Sequence, residues 1–448
     1  MNIHQFYDQG LAHGSYAIVS QGEMAVVDPG RDPQPYLDWA AEHGATLRAI
    51  FETHPHADFV SAHRELADRT GATIYVSGLV QADYPHEAFD EGTTVRLGAC
   101  TFEAINTPGH SPDSITVLLR DADGKQRAAF TGDTLFVGDV GRPDLREAAG
   151  AVHAQRVELA KQMFHTVRHK LMPLDDEVTV YPAHGPGSLC GKALGSELTS
   201  TMGREKARNY AFQIDNEDQF VATLLADQPF IPKYFPYDVG LNKRGAAALA
   251  EGLAAVPRHG AGTPVPGGTL VIDARPASDF KRGHLPGAVN LQDGGKFETW
   301  LGSIVHPGER FFLIAADEAA REALIRKAAK IGYEPMIAGA WAGAPAAARS
   351  ITAPELNVGA FADRTTDYTI VDIRNAGEVA DGPLFEGSLA IPLHQLRERA
   401  GEVPTDKPVV VHCAAGYRSA AGSSILAGAL PDTDVYDLGE AVKDFQPA

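Results

Sequence analysis

Cysteine is scarce in this chain of 448 residues. There are three, Cys100, Cys190 and Cys413, and their wide spacing and odd number exclude a disulfide framework. We therefore expect a reducing compartment, in which the thiols remain available for chemistry.

The sequence also lacks long apolar runs. No stretch approaches the roughly 18 apolar residues that a membrane-spanning helix needs. The first residues, Met1 to Gln5, do not form a basic and apolar leader. These two absences predict a cytoplasmic protein that has no membrane partner.

Positive charge is in short supply. The formal net charge is −19, with 39 lysines and arginines against 58 aspartates and glutamates. Nucleic acids and anionic membranes need a positive surface, so we expect neither as a partner. The chain length predicts about three domains.

What the sequence does contain is a group of metal-binding residue types after an apolar segment. Residues Leu47 to Phe51 predict a buried strand, and His54, His56 and Asp58 follow it. Ligands gather at the carboxyl ends of strands because a rigid sheet aims short loops there. Alternating histidines and an aspartate therefore predict a transition-metal site.

Further candidate ligands occur downstream in the same setting. His110, Asp133 and His184 each follow a β-rich apolar segment. Four donor clusters at strand ends favour a metal site over a chance distribution of histidines.

Helices are predicted on the carboxyl side of these motifs. Phe59 to Thr70 should form one helix, ended by Gly71, and Met202 to Leu225 should be helical as well. Val256 to Gly268 is rich in proline and glycine, which predicts a linker or loop between domains.

In their order along the chain, the motifs resemble the metallo-β-lactamase fold. The resemblance covers about the first half of the chain and implies an αββα sandwich over residues 1–255. It rests on Asp28-Pro29-Gly30, His54-x-His56-x-Asp58, His110, Gly132-Asp133 and His184.

An internal repeat with a period of about a hundred residues follows. Leu270 to Arg275 and Thr369 to Arg374 are each an apolar strand ending in Asp-x-Arg. A second apolar strand comes later in each copy, Phe311 to Ala315 and Val409 to Cys413. The repeat predicts two similar α/β domains in tandem.

Both copies resemble rhodanese domains. The first does so through Asp273-x-Arg275 and Gly283-His284-Leu285-Pro286-Gly287-Ala288, the second through Cys413-Ala414-Ala415-Gly416-Tyr417-Arg418-Ser419. The resemblance implies a rhodanese-like domain over residues 256–350 and a catalytic rhodanese domain over residues 351–448. Ala315 to Arg321 replace the cysteine loop in the first copy, so that copy should carry no sulfur.

Phe59 separates two families that the first domain resembles. In binuclear hydrolases such as glyoxalase II the motif continues with another histidine, which helps to hold a second zinc, and a benzyl group cannot replace it. The persulfide dioxygenases resemble this pattern better, and that resemblance implies one Fe(II) per chain, held by His54, His110 and Asp133. Two imidazoles and a carboxylate are the facial triad of non-haem Fe(II) oxygenases.

Other polar residues are expected around the ion. Four of them should orient the ligands or handle protons, and an additional metal bound through them stays open: His56, Asp58, His184 and Asp28. Persulfide dioxygenases also carry an element similar to Gly141-Arg142-Pro143-Asp144 and a tyrosine before the last histidine motif. The resemblance implies that Tyr181 donates a hydrogen bond near the iron.

The second predicted site is built around Cys413. This residue ends an apolar strand and opens a loop before a predicted helix from Ser419 to Leu426. Backbone N–H groups, the helix N-terminus and Arg418 should cradle an anion and favour the thiolate. Cys190 follows His184 closely in sequence, and two interpretations stay open, a buried apolar residue or a reactive thiol near the metal.

Together these features predict an iron-dependent persulfide dioxygenase fused to a sulfurtransferase. The expected reaction oxidises a low-molecular-weight persulfide with O₂ to a thiol and sulfite, with sulfur transfer through Cys413 giving thiosulfate, as in sulfide detoxification. The reverse direction, in which the rhodanese domain supplies persulfide to the iron, stays open. The resemblance also implies a homo-oligomer. Two alternatives stay open, a zinc-dependent thioester hydrolase of the glyoxalase II type with accessory rhodanese domains and a non-enzymatic sulfur carrier.

Overall fold

The computed structural model describes residues 1–145, 154–192, 194–344 and 350–446, except the side chains of residues 154 and 155. Two compact units are formed, Met1–Leu249 with Lys330–Gly332, and Ala250–Ala329 with Tyr333–Ala448. Among the described helices, none combines the length and the apolar character that crossing a membrane requires.

Two sheets form the centre of the first unit. Within the described residues they are ordered β1-β2-β3-β4-β5-β6 and β12-β11-β10-β9-β8-β7. The strands are β1 Asn2–Asp8, β2 His13–Ser20, β3 Glu23–Val27, β4 Thr46–Phe51, β5 Thr73–Val76, β6 Glu87–Ala88, β7 Thr94–Leu97, β8 Cys100–Asn106, β9 Ile115–Arg120, β10 Gln126–Gly132, β11 Thr179–Pro182 and β12 Ser200–Thr201. The helices are α1 Gln34–Glu42, α2 His63–Thr70, α3 Ala154–Thr166, α4 Met202–Arg208, α5 Tyr210–Gln213, α6 Glu217–Leu225 and α7 Phe235–Arg244.

The inner strands of the first sheet are apolar on both faces. In β3, Ala25 and Val27 belong to a core shared with β8, β9 and β10 of the other sheet. Met24 and Val26, which point the opposite way, pack in a second core with residues of α1 and α2. A third core joins α3 and α6 to the outer face of the second sheet. The layers are helix, sheet, sheet and helix, which confirms the predicted αββα sandwich.

The helix after the histidine motif is shorter than predicted. Gly71 ends it in a left-handed conformation with φ 74°, as expected, but the helix begins at His63 rather than at Phe59. The reason lies in α7, where the Asn242 side chain accepts from the Ser61 N–H at 2.8 Å. It also donates to the Phe59 carbonyl at 2.7 Å. These bonds satisfy the backbone of the loop outside a helix.

The helical region from Met202 to Leu225 is divided into α4, α5 and α6. Asn209 and Asn216 stand at the two breaks, and each begins a new helix by accepting a backbone N–H with its side chain. Asparagine favours this capping position over a helix interior, which explains both breaks.

The second unit contains two parallel sheets. The first, with its helices, is called the middle domain and is ordered β13-β17-β16-β14-β15; the other, called the last domain, is ordered β19-β18-β20-β21 within the described residues. The strands are β13 Arg258–His259, β14 Leu270–Asp273, β15 Val289–Asn290, β16 Phe311–Ala315, β17 Ile337–Ala342, β18 Thr369–Asp372, β19 Leu389–Ala390, β20 Val409–His412 and β21 Val435–Asp437. The helices are α8 Leu249–Ala255, α9 Ala277–Arg282, α10 Phe297–Ile304, α11 Glu318–Lys330, α12 Val358–Asp363, α13 Ala376–Ala380, α14 Leu396–Arg399 and α15 Tyr417–Ala429.

These two domains repeat one topology. Strands β14 to β17 and strands β18 to β21 occur in the same spatial order, and both sets are parallel. The Asp-x-Arg pair is also the same: Arg275 approaches Asp273 to 2.6 Å and Arg374 approaches Asp372 to 2.7 Å. Because each aspartate is buried at a strand end, its charge needs this arginine beside it.

One part of the predicted linker is ordered into a sheet. Arg258 and His259 form β13 and pair in parallel with β17. Proline and glycine content indicated a break between domains but not that the segment would add an edge strand.

Candidate metal centre

The candidate ligands meet where strands of the first unit end. His54 follows β4, Asp133 follows β10 directly, and His184 follows β11. All three side chains are buried, as are those of His56 and His110. The sandwich thus brings residues that are distant in sequence to one edge.

Three of these residues form a compact set of donors. The Asp133 Oδ2 atom lies 3.7 Å from His54 Nε2 and 3.6 Å from His110 Nε2. Oδ2 is buried and has no hydrogen-bond partner among the described residues. Donor atoms that share an ion at about 2.1 Å each lie roughly 3.0 to 3.7 Å apart. The three residues predicted as iron ligands therefore fit a single metal ion.

His184 lies between two carboxylates. Its Nδ1 is 2.7 Å from Asp133 Oδ1, and its Nε2 is 2.7 Å from Asp58 Oδ2. Burial lowers the pKa of His184, but Asp133 and Asp58 raise it more, so the pKa lies well above its ordinary value. Burial likewise opposes ionisation of Asp133, and the imidazoles of His184, His54 and His110 outweigh it and hold that pKa well below its usual range.

Asp28 orients the start of the histidine motif. Its carboxylate accepts hydrogen bonds from the Thr53 backbone N–H at 2.8 Å and from the Thr53 hydroxyl at 2.9 Å. Asp28 Oδ1 also lies 3.3 Å from His56 Nε2. Asp28 and His56 thus lie next to the donor set, and Asp28 fixes the backbone from which His54 extends.

Phe59 fills the space beside His56. Its ring centroid is 4.4 Å from that of His56 and 3.8 Å from that of His13, and its side chain is buried. A carbon ring packed between two imidazoles offers no donor to a second ion.

Sequence reasoning missed His13. Its ring lies 5.9 Å from the His56 ring and 5.7 Å from the His184 ring. Burial, then the neighbouring His184 and His56, lower its pKa well below the ordinary value. Its one available signal was a histidine at the start of the otherwise apolar strand β2.

Two residues of the segment before and within α7 were also missed. Asn242 donates to the His56 carbonyl at 2.8 Å, and the Tyr234 hydroxyl donates to the Asp58 carbonyl at 3.2 Å. Both fix the backbone of the histidine motif from far along the sequence, where no local pattern marks them.

Cys190 lies beside His184. The donor atoms of Asp58, His184 and Cys190 all lie within 4.8 Å of one another. Burial raises the pKa of the Cys190 thiol, and the charges of Asp58 and Asp133 raise it further. The thiol is thus buried and adjoins the donor cluster, while its raised pKa favours the neutral thiol over the thiolate; a reactive role for Cys190 stays a prediction.

The Gly141-Arg142-Pro143-Asp144 element holds the Cys190 loop. The buried Arg142 guanidinium pairs with Asp144 at 2.6 Å, and its backbone N–H donates to the Cys190 carbonyl at 3.0 Å. A side chain at Gly141 would meet the Asp133 carbonyl oxygen at 1.9 Å. Only glycine fits this close approach between the element and a ligand.

Tyr181 packs against aromatic rings of the first unit. Its ring stacks on Phe130 with centroids 5.3 Å apart and meets Tyr16 at 5.1 Å, in the core between the sheets. Side chains alternate along β11, so Tyr181 faces the core while Val180 faces the outer cluster. The expected hydrogen bond from Tyr181 near the iron is not among the contacts of the described residues.

The Cys413 loop forms at the end of β20. The Gly416 N–H lies 3.2 Å from Cys413 Sγ, and Gly416 adopts φ 97°. Helix α15 begins directly afterwards, at Tyr417 rather than at the predicted Ser419. The backbone of the loop therefore points an N–H at the sulfur, as a thiolate cradle requires.

Arg418 is paired within the protein. Its two terminal nitrogens each lie 2.6 Å from an oxygen of Glu378. Burial raises the pKa of Glu378, but Arg418 outweighs it and the net shift is downward. The sequence did not reveal Glu378, but Arg418 also interacts with Cys413 as predicted: burial lowers the pKa of Arg418, and Glu378 and Cys413 outweigh it and raise that pKa.

Known families match both units. The Metallo-beta-lactamase superfamily matches residues 9–184, and the rhodanese-like domain matches residues 261–338, in the middle domain. The crystal structure of a metallo-beta-lactamase from Staphylococcus aureus is 33% identical with a TM-score of 0.70. The alignment covers 76% of this chain and 99% of that one.

Two curated relatives carry different activities in their names. The mitochondrial persulfide dioxygenase of Homo sapiens is 30% identical over 36% of this chain and 59% of its own. A hydroxyacylglutathione hydrolase of Haemophilus influenzae is 27% identical over 38% of this chain and 82% of its own. Because the bacterial crystal structure is matched along almost its whole length at one-third identity, the chain belongs to the metallo-β-lactamase superfamily and carries a rhodanese-like domain after that fold.

Proposed function

We propose that this protein is an Fe(II)-dependent persulfide dioxygenase joined to a sulfurtransferase. In the first reaction a persulfide R–S–SH, O₂ and water give R–SH, sulfite and two protons. One observation carries the proposal. The compact set of His54, His110 and Asp133 suits one ion, and Phe59, packed beside His56, offers no donor to a second one. The persulfide dioxygenase among the relatives supports the same activity.

The chain's own residues have definable parts in this reaction. His54, His110 and Asp133 would hold the ion, and a bound ferrous ion supplies the redox chemistry by which O₂ reacts with sulfur. His184 holds a proton between Asp133 and Asp58, 2.7 Å from each carboxylate, where it can serve a leaving thiolate. The burial of the donors keeps bulk water away from them.

The last domain is proposed as a catalytic rhodanese domain. It repeats the topology of the middle domain, which matches the rhodanese-like family, and it places Cys413 beneath the Gly416 N–H. The Cys413 thiolate would attack the outer sulfur of a persulfide R–S–SH, so that the S–S bond breaks and R–SH leaves with its sulfur protonated. Sulfite would then attack the outer sulfur of the Cys413 persulfide, so that the new S–S bond breaks, thiosulfate leaves and the Cys413 thiolate is regenerated. The middle domain contains no cysteine and is proposed to carry no sulfur.

The setting follows from charge and thiol content. All three cysteines are free, which suits a reducing cytoplasm. A net charge of −19 favours small molecules over nucleic acid as partners. The proposed partners are persulfides, O₂, sulfite and thiosulfate.

A second candidate function is a zinc-dependent thioester hydrolase. Asp58 Oδ1 is buried without a hydrogen-bond partner among the described residues, and its other oxygen adjoins His184. These two residues offer donors to another ion, and a hydroxyacylglutathione hydrolase is among the relatives. Metal content therefore separates the two functions.

The test measures metal content and O₂ uptake on purified full-length protein with a panel of persulfides. One iron per chain with persulfide-dependent O₂ uptake is expected. His110→Ala should lose both, because Asp133 and His54 then offer too few donors, while the exposed His165→Ala should keep both. Two zincs per chain with thioester cleavage and no O₂ uptake would overturn the proposal.

A further inference from the structure

The middle domain has no thiol, yet one of its segments contacts helix α15, which begins directly after the Cys413 loop. This docking segment comprises residues 290–300, which run from the end of β15 into α10. Both domains belong to the same compact unit. The contacts fall on the first two residues of α15, Tyr417 and Arg418, which directly follow the loop.

Tyr417 is anchored to the docking segment. Its hydroxyl donates to the Gln292 carbonyl at 2.8 Å. Its ring passes so close to Gly294 that a side chain there would lie 2.9 Å from a ring carbon. Further along the same helix, the Ser424 hydroxyl accepts the Asn290 N–H at 2.8 Å. Helix α15, which carries the cysteine loop at its start, is therefore seated on the middle domain.

Arg418 is enclosed from two sides. Glu378 of the last domain holds the guanidinium through two bonds of 2.6 Å. Trp300 of the docking segment places its ring centroid 5.8 Å from the guanidinium carbon, within the range of a cation–π contact. The tryptophan is only 8% exposed, so this contact is shielded from water. Cation–π contacts are strongest when they are shielded in this way.

We infer that Trp300 is a positioning residue for sulfur transfer at Cys413, acting through Arg418, and that the middle domain completes the cysteine site. The inference rests on the proposed sulfurtransferase function. A flat aromatic face restrains the guanidinium against Glu378 and limits the rotamers of Arg418. Because Arg418 lies in the first turn of α15, directly after the Cys413 loop, holding it also holds the end of that loop.

The test is a double-mutant cycle on the full-length chain, with sulfur transfer from thiosulfate to cyanide as the readout. Trp300→Leu should lower kcat/KM roughly two- to thirty-fold, the range of a cation–π contact. Trp300→Phe, which keeps an aromatic face, should recover most of that loss. In an Arg418→Ala background the same Trp300→Leu change should have no further effect, because its partner is gone.

A matched control is available in the same domain. Trp341 is buried like Trp300, but it packs on His259 with centroids 4.3 Å apart and on Phe312 at 5.2 Å. Trp341→Phe should therefore leave sulfur transfer unchanged. If Trp341→Phe loses as much activity as Trp300→Leu, Trp300 only stabilises the fold. The same conclusion follows if Trp300→Leu still lowers activity in the Arg418→Ala background. A Trp300→Leu variant with full activity would also overturn the inference.

Amide hydrogen exchange supplies a readout that does not depend on activity. Trp300→Leu, and Tyr417→Phe if the first variant folds poorly, should speed exchange in the peptide that spans residues 413–426, whereas Trp341→Phe should not. If the wild-type chain forms no thiocyanate, the proposed sulfurtransferase function fails, and exchange then decides only whether Trp300 holds the Cys413 loop in place. Unchanged exchange in both variants would overturn it.

Discussion

One aromatic side chain, Phe59, packs beside the candidate metal centre. Its ring occupies the space between His13 and His56, at centroid distances of 3.8 and 4.4 Å. Asp58 and His184 remain in place beside it, 2.7 Å apart. The missing part of a second metal site is therefore a single donor.

Replacing Phe59 by histidine should supply that donor. We expect Phe59→His, reconstituted with Zn²⁺, to rise from about one to about two ions per chain, because zinc is held well by combined imidazole and carboxylate ligands. Phe59→Leu, which keeps an apolar side chain, should stay at one. Metal analysis after dialysis checks this, and a wild-type chain that already holds two zincs would contradict it.

His63 gives the first unit a defined sensitivity to acid. Burial, and to a smaller extent Arg64, lower the pKa of His63 to about 3, while an unfolded chain would titrate near about 6.5. The unfolded state therefore binds the extra proton between these values, and stability falls as pH is lowered through that window. This one group changes the free energy of unfolding by about 1.4 kcal/mol per pH unit within that window.

Asparagine at position 63 would remain polar without titrating. The free energy of unfolding of His63→Asn should depend less steeply on pH between about 6 and 4 than that of the wild type. Denaturant unfolding followed by tryptophan fluorescence at several pH values measures the two slopes. Equal slopes would show that His63 is already protonated in the folded chain.

At the scale of elements, the metal ligands depend on loops that bring backbone segments unusually close together. Gly132 adopts φ 52° at the end of β10, and a side chain there would lie 2.3 Å from the Thr53 hydroxyl oxygen. Gly141 touches the backbone of Asp133 in the same way. Both glycines let two backbone segments meet at the candidate ligands.

A methyl group at Gly141 should therefore displace a ligand. In Gly141→Ala the new carbon would lie 1.9 Å from the Asp133 carbonyl oxygen and 2.9 Å from His110 Nδ1. Metal affinity should drop roughly 10- to 100-fold, as for other supporting groups around metal sites. Titration with a competing chelator checks this, with Gly260→Ala as control, since a side chain there would meet nothing within 4 Å. Unchanged affinity would mean that the loop relaxes freely.

Elements with a local signal were predictable, and those fixed by distant contacts were not. The strand before His54, the glycine that ends α2 and the Asp-x-Arg repeat were all visible in short stretches of sequence. The start of α2 was misplaced because Asn242 holds the backbone of residues 56–61. Glu378 and His13 were missed for the same reason, since each acquires its partner only through folding.

Tyr181 shows a different limit of sequence reasoning. Its place near the iron stays a prediction, and its position before the His184 motif did not show that the period of two along β11 packs its ring against Phe130 in the core. The face of a short strand is set by its register with neighbours, and four residues are too few to reveal it.

For the whole molecule, the central question is whether the two sites act in series. The metal centre lies in the first unit and Cys413 in the second. The proposed chemistry links them by a small molecule, because sulfite formed at one site is the acceptor at the other. A change at Cys413 should then alter the product without altering O₂ consumption.

Cys413→Ser tests this division. The hydroxyl has nearly the volume of the thiol, but it is not ionised near neutral pH and cannot carry a sulfane sulfur, so transfer should stop. His54, His110 and Asp133 are untouched, so persulfide-dependent O₂ uptake should continue at the wild-type rate. The sulfur product should shift from thiosulfate to sulfite, because sulfite no longer meets a cysteine persulfide.

Cys100→Ser, at the buried start of β8, is the matched thiol control and should keep thiosulfate as the product. If Cys413→Ser still forms thiosulfate, sulfur is transferred at Cys190 or at the metal centre, and the two domains do not divide the work as proposed.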